Sequence, residues 1–169
     1  MIIGLDTAAN RWHAAAEGGV TGCCPELKGK RWEDPDVRRK HLAGTFDLWL
    51  ADVLAGGEPS RVWVFCEEPL ALKNGKTTRL LSLAAGALWD RGAITGVEWV
   101  WVDVATWKRV IIGNGNADKA EIAAWVQFHL GKTYDEADHY DARCLLELGK
   151  LVIETGIRAP DLPRSAWKP

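Results

Sequence analysis

The chain has 169 residues, 23 acidic against 21 basic side chains, a formal charge of -2 and 47% hydrophobic content, which suits one globular domain with its own core and is too short for two. So even a balance excludes a histone-like protein that holds nucleic acid by bulk charge, though not a locally basic face. No apolar run approaches the roughly 18 residues of a membrane span, and Met1 to Leu5 lacks the pattern of a signal peptide, so a cytoplasmic protein without a membrane partner is expected.

Ile2, Ile3 and Leu5 predict a short buried strand ending at Asp6, and Trp12 to Glu17, Gly18-Gly19 and Val20 to Cys24 predict a hairpin with a glycine turn. Asp34 is an N-cap signal with Pro35 at the first helical position, and Leu42, Phe46, Trp49, Leu50, Val53 and Leu54 recur at helical spacing until Gly56-Gly57. Val62 to Cys66 is a continuous apolar run too short for a helix, which predicts a strand buried on both faces. Thr77 to Trp89 carries Leu80, Leu81, Ala84, Ala87 and Leu88 on one helical face and is expected to end near Gly92, and Glu98 to Val102 predicts a further strand. Asn116 is expected to cap a helix over Ala117 to Leu130 that Gly131 closes, and a last helix is expected from about Asp135 to Glu154. The tail from Arg158 to Pro169 holds three of the 7 prolines and is expected to be flexible, leaving residues 1–157 as the domain.

Three strands, helix, strand, helix, strand, helix, helix predict an α/β fold, a mixed sheet with an antiparallel hairpin at one edge and helices on both faces. Cys23, Cys24, Cys66 and Cys144 have no C-x-x-C spacing, so reduced thiols are expected rather than zinc or disulfides. Most of the 10 tryptophans are expected to fill core.

The chemistry is carried by acids. Asp6 and Glu67 end strands expected to lie side by side and parallel, so both fall at the crevice beyond the carboxyl ends of the sheet. Asp138 and Asp141 are three apart on the last helix and continue the stripe of Leu145, Leu148 and Val152 toward the core. Like charges brought together there cost several kcal/mol per ion unless a cation compensates. An all-oxygen set selects Mg²⁺, with Mn²⁺ as substitute, and two ions about 4 Å apart would suit in-line phosphodiester displacement. Glu68 is a weaker alternative to Glu67, Asp103 is expected to cap the next turn, and His139 is expected to be peripheral.

Basic residues fall where a nucleic-acid backbone would need them. Lys73, Lys76 and Arg79 lie in a stretch from Pro69 to Trp89 that has no acid, and Lys108, Arg109 and Lys119 flank the loop Gly113-Asn114-Gly115-Asn116. Arg109 alone reads as a solvated surface residue. Lys119 in a helix first turn opposes the dipole unless an anion is present, and phosphate would supply one.

Taken together, I-I-G-L-D ending at Asp6, C-E-E-P-L-A-L-K-N led by Glu67, K-R-V-I-I-G-N-G-N-A-D-K from Lys108 to Lys119, and A-D-H-Y-D-A with Asp138 and Asp141 resemble the RuvC-like Holliday junction resolvases of the RNase H-like (retroviral integrase) superfamily. The resemblance implies an RNase H-like five-stranded sheet and a homodimer that binds a four-way DNA junction in recombination and repair. It also implies paired symmetric nicks that leave 5′-phosphate and 3′-hydroxyl ends, with no organic cofactor. By position, Asp6, Glu67, Asp138 and Asp141 match the catalytic tetrad, and Lys108 and Lys119 match DNA-contacting residues. Leu70 stands where the family's junction-wedging aromatic is expected, and Thr7-Ala8 stands where Pro-Gly is usual, which marks a divergent, phage-borne or bacterial member.

The same tetrad could serve a nuclease for flaps, other branched DNA or RNA/DNA hybrids, because carboxylates read phosphates and not topology. A sugar-kinase or actin-like phosphotransferase also opens with a strand ending in G-x-D, but needs more chain and further phosphate loops. A DNA-binding protein without catalysis is the third class, and the intact acid set argues against it.

Overall fold

The computed structural model describes residues 1–29, 32–55, 59–69, 75–94, 97–164 and 166–167. Strands Ile2–Ala8 (β1), Arg11–Ala16 (β2) and Thr21–Cys24 (β3) form an antiparallel meander, and Trp63–Glu67 (β4) and Glu98–Val102 (β5) continue it in parallel from β1, giving the order β3-β2-β1-β4-β5. This is the expected mixed sheet of five strands. β1 is longer than predicted: the tight turn at Ala9-Asn10 keeps β2 paired to it as far as Ala8, so Asp6 lies inside the strand, while pairing to β4 stops at Leu5.

Period-two alternation divides the side chains between two faces. Ile3, Leu5, Trp12, Ala14, Val64 and Cys66 pack under helices Pro35–Leu54 (α1) and Gly75–Ile94 (α2), with Leu42, Phe46, Leu50, Ala84 and Leu88 filling that layer. The broad apolar stripe of α1 is therefore spent inside the chain: Phe46 is fully buried and Leu50 nearly so. α1 starts as expected, with the Asp34 carboxylate accepting from the N–H groups of Asp36 and Val37. α2 runs past the expected stop at Gly92. A glycine costs a helix about 1 kcal/mol but ends it only where the chain turns left-handed, as it does at Gly131 (φ 61°) and Gly156 (φ 68°).

On the other face Ile2, Ala15, Phe65 and Val102 pack against Val104–Ile111 (α3), Lys119–Leu130 (α4) and Ala137–Thr155 (α5). α3 was not anticipated. It is only two turns long, opened by the expected Asp103 cap and held by the buried Trp107, Val110 and Ile111. α4 is capped by Asp118 rather than Asn116, because Asp118 and Glu121 form a reciprocal capping box while Asn116 is held in the preceding loop by Asn114 Oδ1.

α5 lies unusually close to the sheet. A Cβ on Gly4 would sit 2.0 Å from the Ala142 carbonyl oxygen and 2.3 Å from the Leu146 nitrogen, and one on Gly149 would sit 2.6 Å from Ile2 and Phe65 side-chain atoms. Two glycines, one on each partner, thus let the helix bearing Asp138 and Asp141 settle onto the strand bearing Asp6.

Described residues after α5 pack against the domain. Donating to the carbonyl oxygens of Leu162 (2.8 Å) and Pro160 (3.2 Å), Arg109 ties this segment to α3, and Ala159 and Leu162 are buried. Trp167 sits against Trp125 and His129. Among the described residues no helix is long and apolar enough to cross a membrane.

Candidate metal centre

Asp6 and Glu67 project from β1 and β4 on the face covered by α5, the face of Ile2 and Phe65, and Asp138 and Asp141 come down from the first two turns of α5. The charges of Glu67, Asp141 and Asp138 all act on Asp6, that of Asp141 acts on Glu67, and that of Asp138 acts on Asp141. Burial, then Glu67 and Asp141, push the Asp6 carboxyl well above its ordinary value. Burial, then Asp141, raise Glu67 to about 7, against the pull of Lys119, the Trp107 indole and Lys108. Asp141 is raised mainly by burial, although Lys119 opposes it. Asp138 is lowered: its burial is outweighed by the hydrogen bond and charge of Lys119 and by Arg11.

The anion expected beside Lys119 is therefore supplied by the protein. Lys119 Nζ donates to Asp138 Oδ1 at 2.8 Å and to Asp141 Oδ2, and burial, which would lower the lysine, is overcome by the two carboxylates, so its pKa is raised. Lys108 Nζ donates to the Ala117 carbonyl at 2.7 Å, and its charge is felt by both Glu67 and Asp141. Lys108 and Lys119 are thus brought to the acids, whereas Arg109 is turned to the C-terminal segment. Arg79 is exposed on α2. Lys73 and Leu70 lie outside the described residues, as does the side chain of Lys76.

Glu68 is exposed, and its N–H donates to Val102 to extend the parallel ladder, so Glu67 is the residue that faces the crevice. Asp103 is used at the α3 cap, where Oδ2 accepts from the Thr106 N–H at 2.9 Å. His139 stands beside the acids, its ring edge-on to His13 at 4.7 Å and stacked on Tyr134.

Sequence reasoning missed His13, Arg11 and Glu136. His13 is directly opposite Asp6 in the β1–β2 register, so the two side chains share a face. It is 1% exposed, and one ligand atom each from Asp6, His13 and Asp138 lie within 4.8 Å of one another. Arg11 Nη2 reaches Asp138 Oδ2 at 2.5 Å. Glu136 makes no cap hydrogen bond at the start of α5 and instead meets His13 Nε2 at 2.8 Å. The signal was the hairpin: once Ala9-Asn10 is taken as the turn, Asp6 must pair with His13.

A divalent cation fits these residues. Asp141 Oδ1 is buried and has no hydrogen-bond partner among the described residues, an arrangement that costs about 1–3 kcal/mol or more for a charged group unless a cation takes the lone pairs. Three of the acids are held above their ordinary pKa values by burial and mutual repulsion, which a 2+ charge would reverse.

No protein-family model matches the chain, and no curated protein matches it in sequence. Solved structures do match. The chain is similar to Thermus thermophilus RuvC with 18% identity and a TM-score of 0.65, over 92% of this chain and 96% of that one. It is also similar to T. thermophilus RuvC in complex with Holliday junction substrate, with 17% identity and a TM-score of 0.68, over 92% and 95% of the two chains. TM-scores of 0.65 and 0.68 over more than nine-tenths of each chain establish that this chain has a divergent RuvC-like fold, the five-stranded RNase H-like architecture that its motifs led one to expect.

Proposed function

We propose that the protein is a metal-dependent, structure-selective endodeoxyribonuclease that resolves four-way DNA junctions by paired symmetric nicks. The observation that carries this reading is the convergence of Asp6, Glu67, Asp138 and Asp141 at one end of the sheet, with a buried Asp141 oxygen left without a partner. The junction complex of the T. thermophilus protein, on the same fold, supports the choice of substrate.

Asp6, Glu67, Asp138 and Asp141 would hold Mg²⁺ or Mn²⁺, two ions per site. Bound there, such ions supply Lewis-acid activation of water and charge neutralisation at the scissile phosphate. The chain's own part is preorganisation. β1, β4 and α5 fix the carboxylates before substrate arrives, and the Gly4 contact sets the spacing between strand and helix. Lys119, with its side chain half exposed, balances Asp138 and Asp141, and the same ammonium is accessible to a phosphate. Lys108 and Arg79 add positive charge for the backbone. Two symmetric nicks require two such sites related by a two-fold axis, so the working form is a homodimer.

The test is cleavage of a labelled four-way junction beside duplex, flap and RNA/DNA hybrid, in Mg²⁺, Mn²⁺ and EDTA. Paired nicks in the junction alone, lost in EDTA, are expected. Cutting of flaps or hybrids in its place would move the substrate, and binding without cutting in either metal would overturn the nuclease reading.

A further inference from the structure

We infer that His13 is a metal ligand of this site, giving it one imidazole nitrogen beside the carboxylates and therefore a preference for Mn²⁺ and similar borderline cations over Mg²⁺. The inference rests on the metal-site reading above and adds a residue to it.

Three observations converge. The β1–β2 register places His13 opposite Asp6, and ligand atoms of Asp6, His13 and Asp138 gather within 4.8 Å. The ring is 1% exposed, among acids rather than in an apolar pocket, so packing alone gives no reason for an imidazole here. Its two nitrogens also face different partners. Nε2 is 2.8 Å from Glu136 Oε2, and Nδ1 is 3.9 Å from Asp138 Oδ2, too far for a hydrogen bond.

At 2.8 Å from the Glu136 carboxylate, Nε2 is placed to donate to it, which leaves Nδ1 as the nitrogen that faces Asp138 and Asp6. A histidine that donates one N–H to a carboxylate and turns the other nitrogen to a ligand position is the usual arrangement of a metal-bound imidazole. Glu136 stands at the N-cap of α5 and makes no cap bond there, consistent with its carboxylate being committed to the ring. Nitrogen donors suit Mn²⁺ and later transition ions, whereas Mg²⁺ keeps to oxygen.

The experiment uses the full chain without DNA, loaded with Mn²⁺, and reads pulsed electron paramagnetic resonance for nitrogen coupling. Wild-type protein should show one directly bound nitrogen whose signal changes isotope when the protein is grown on ¹⁵N-histidine, so no substitution is needed for the first result. His13→Gln should remove the coupling and weaken Mn²⁺ binding about tenfold or more, and Glu136→Gln, which keeps the ring, should weaken it within the 10–100-fold range of lost supporting carboxylates. His139→Gln should keep the coupling. Mn²⁺ bound without histidine nitrogen, or coupling that survives His13→Gln, would overturn this inference and leave the carboxylate site standing. Failure of Mn²⁺ to bind at all would overturn both.

Discussion

Replacing Gly4 by alanine tests whether the approach of α5 to β1 builds the site. The added Cβ would lie 2.0 Å from the Ala142 carbonyl oxygen and 2.3 Å from the Leu146 nitrogen, both backbone atoms. No rotamer change relieves such a clash, so the helix must retreat by roughly 1.4 Å to restore ordinary contact at 3.4 Å. Overpacking of this kind costs about 1–3 kcal/mol, and at this chain length 3 kcal/mol lowers Tm by about 6–12 °C. Asp138 and Asp141 ride on the same helix, and a displacement near 1 Å from reactive geometry costs about 100-fold in rate. Thermal melts with and without Mg²⁺, beside single-turnover cleavage of a junction, measure both effects. Gly44→Ala is the control. Its Cβ meets nothing within 4 Å in the interior of α1, so stability should rise by up to about 1 kcal/mol with cleavage unchanged. A Gly4→Ala protein that melts within about 2 °C of wild type and cleaves at the wild-type rate would show that the close approach of α5 to β1 does not build the site.

Other expectations concern charge. Because Glu67 takes a proton at about 7 in the folded chain and near 4.5 when unfolded, the metal-free protein should gain stability as pH falls from 8 to 6.5, by about 1 kcal/mol from this group. Saturating Mg²⁺ should abolish that slope in the same melts, and a slope unchanged by metal would disprove the link. Below pH 6.5 His139, held down mainly by burial, works in the opposite sense, so the window stops there. Lys119→Met should lower the metal-free Tm, because Asp138 and Asp141 lose their shared cation, and should enlarge the rise produced by Mg²⁺. An unchanged Mg²⁺ shift would show that the ammonium does not balance the metal site. Arg109→Ala should speed proteolysis near Pro160 to Leu162, where two carbonyl hydrogen bonds are lost, and leave cleavage of DNA intact.

How much of this was legible in the sequence differs by element. The five strands and the α1 cap could be read because alternation and the Asp34-Pro35 signal are local. Asp6, Glu67, Asp138 and Asp141 could be expected on one face because strand alternation and one helix stripe leave few orientations, although Asp6 lies inside β1 and not at its end. α3 was hidden because eight residues leave little room for a periodic signal, and only the Asp103 cap marked it. The cap of α4 went astray because Asn116 and Asp118 are both good caps, and the choice was made by Glu121 closing the box on Asp118. His13 was overlooked for a different reason: its role depends on the register across a two-residue turn, which brings it to Asp6 from the far side of the hairpin. The compensation of Lys119 by the acids themselves likewise depends on α4 meeting α5, a tertiary fact that no spacing along the chain records.

The central claim is that four carboxylates act as one metal site for phosphodiester cleavage. Single-turnover cleavage of a labelled four-way junction in Mg²⁺, by wild type and by Asp6→Asn, Glu67→Gln, Asp138→Asn and Asp141→Asn, tests it most directly. Each variant should lose orders of magnitude in rate while binding the junction as well as wild type or better, since each removes a negative charge facing phosphate. Cleavage near the wild-type rate in any two of the four would contradict it.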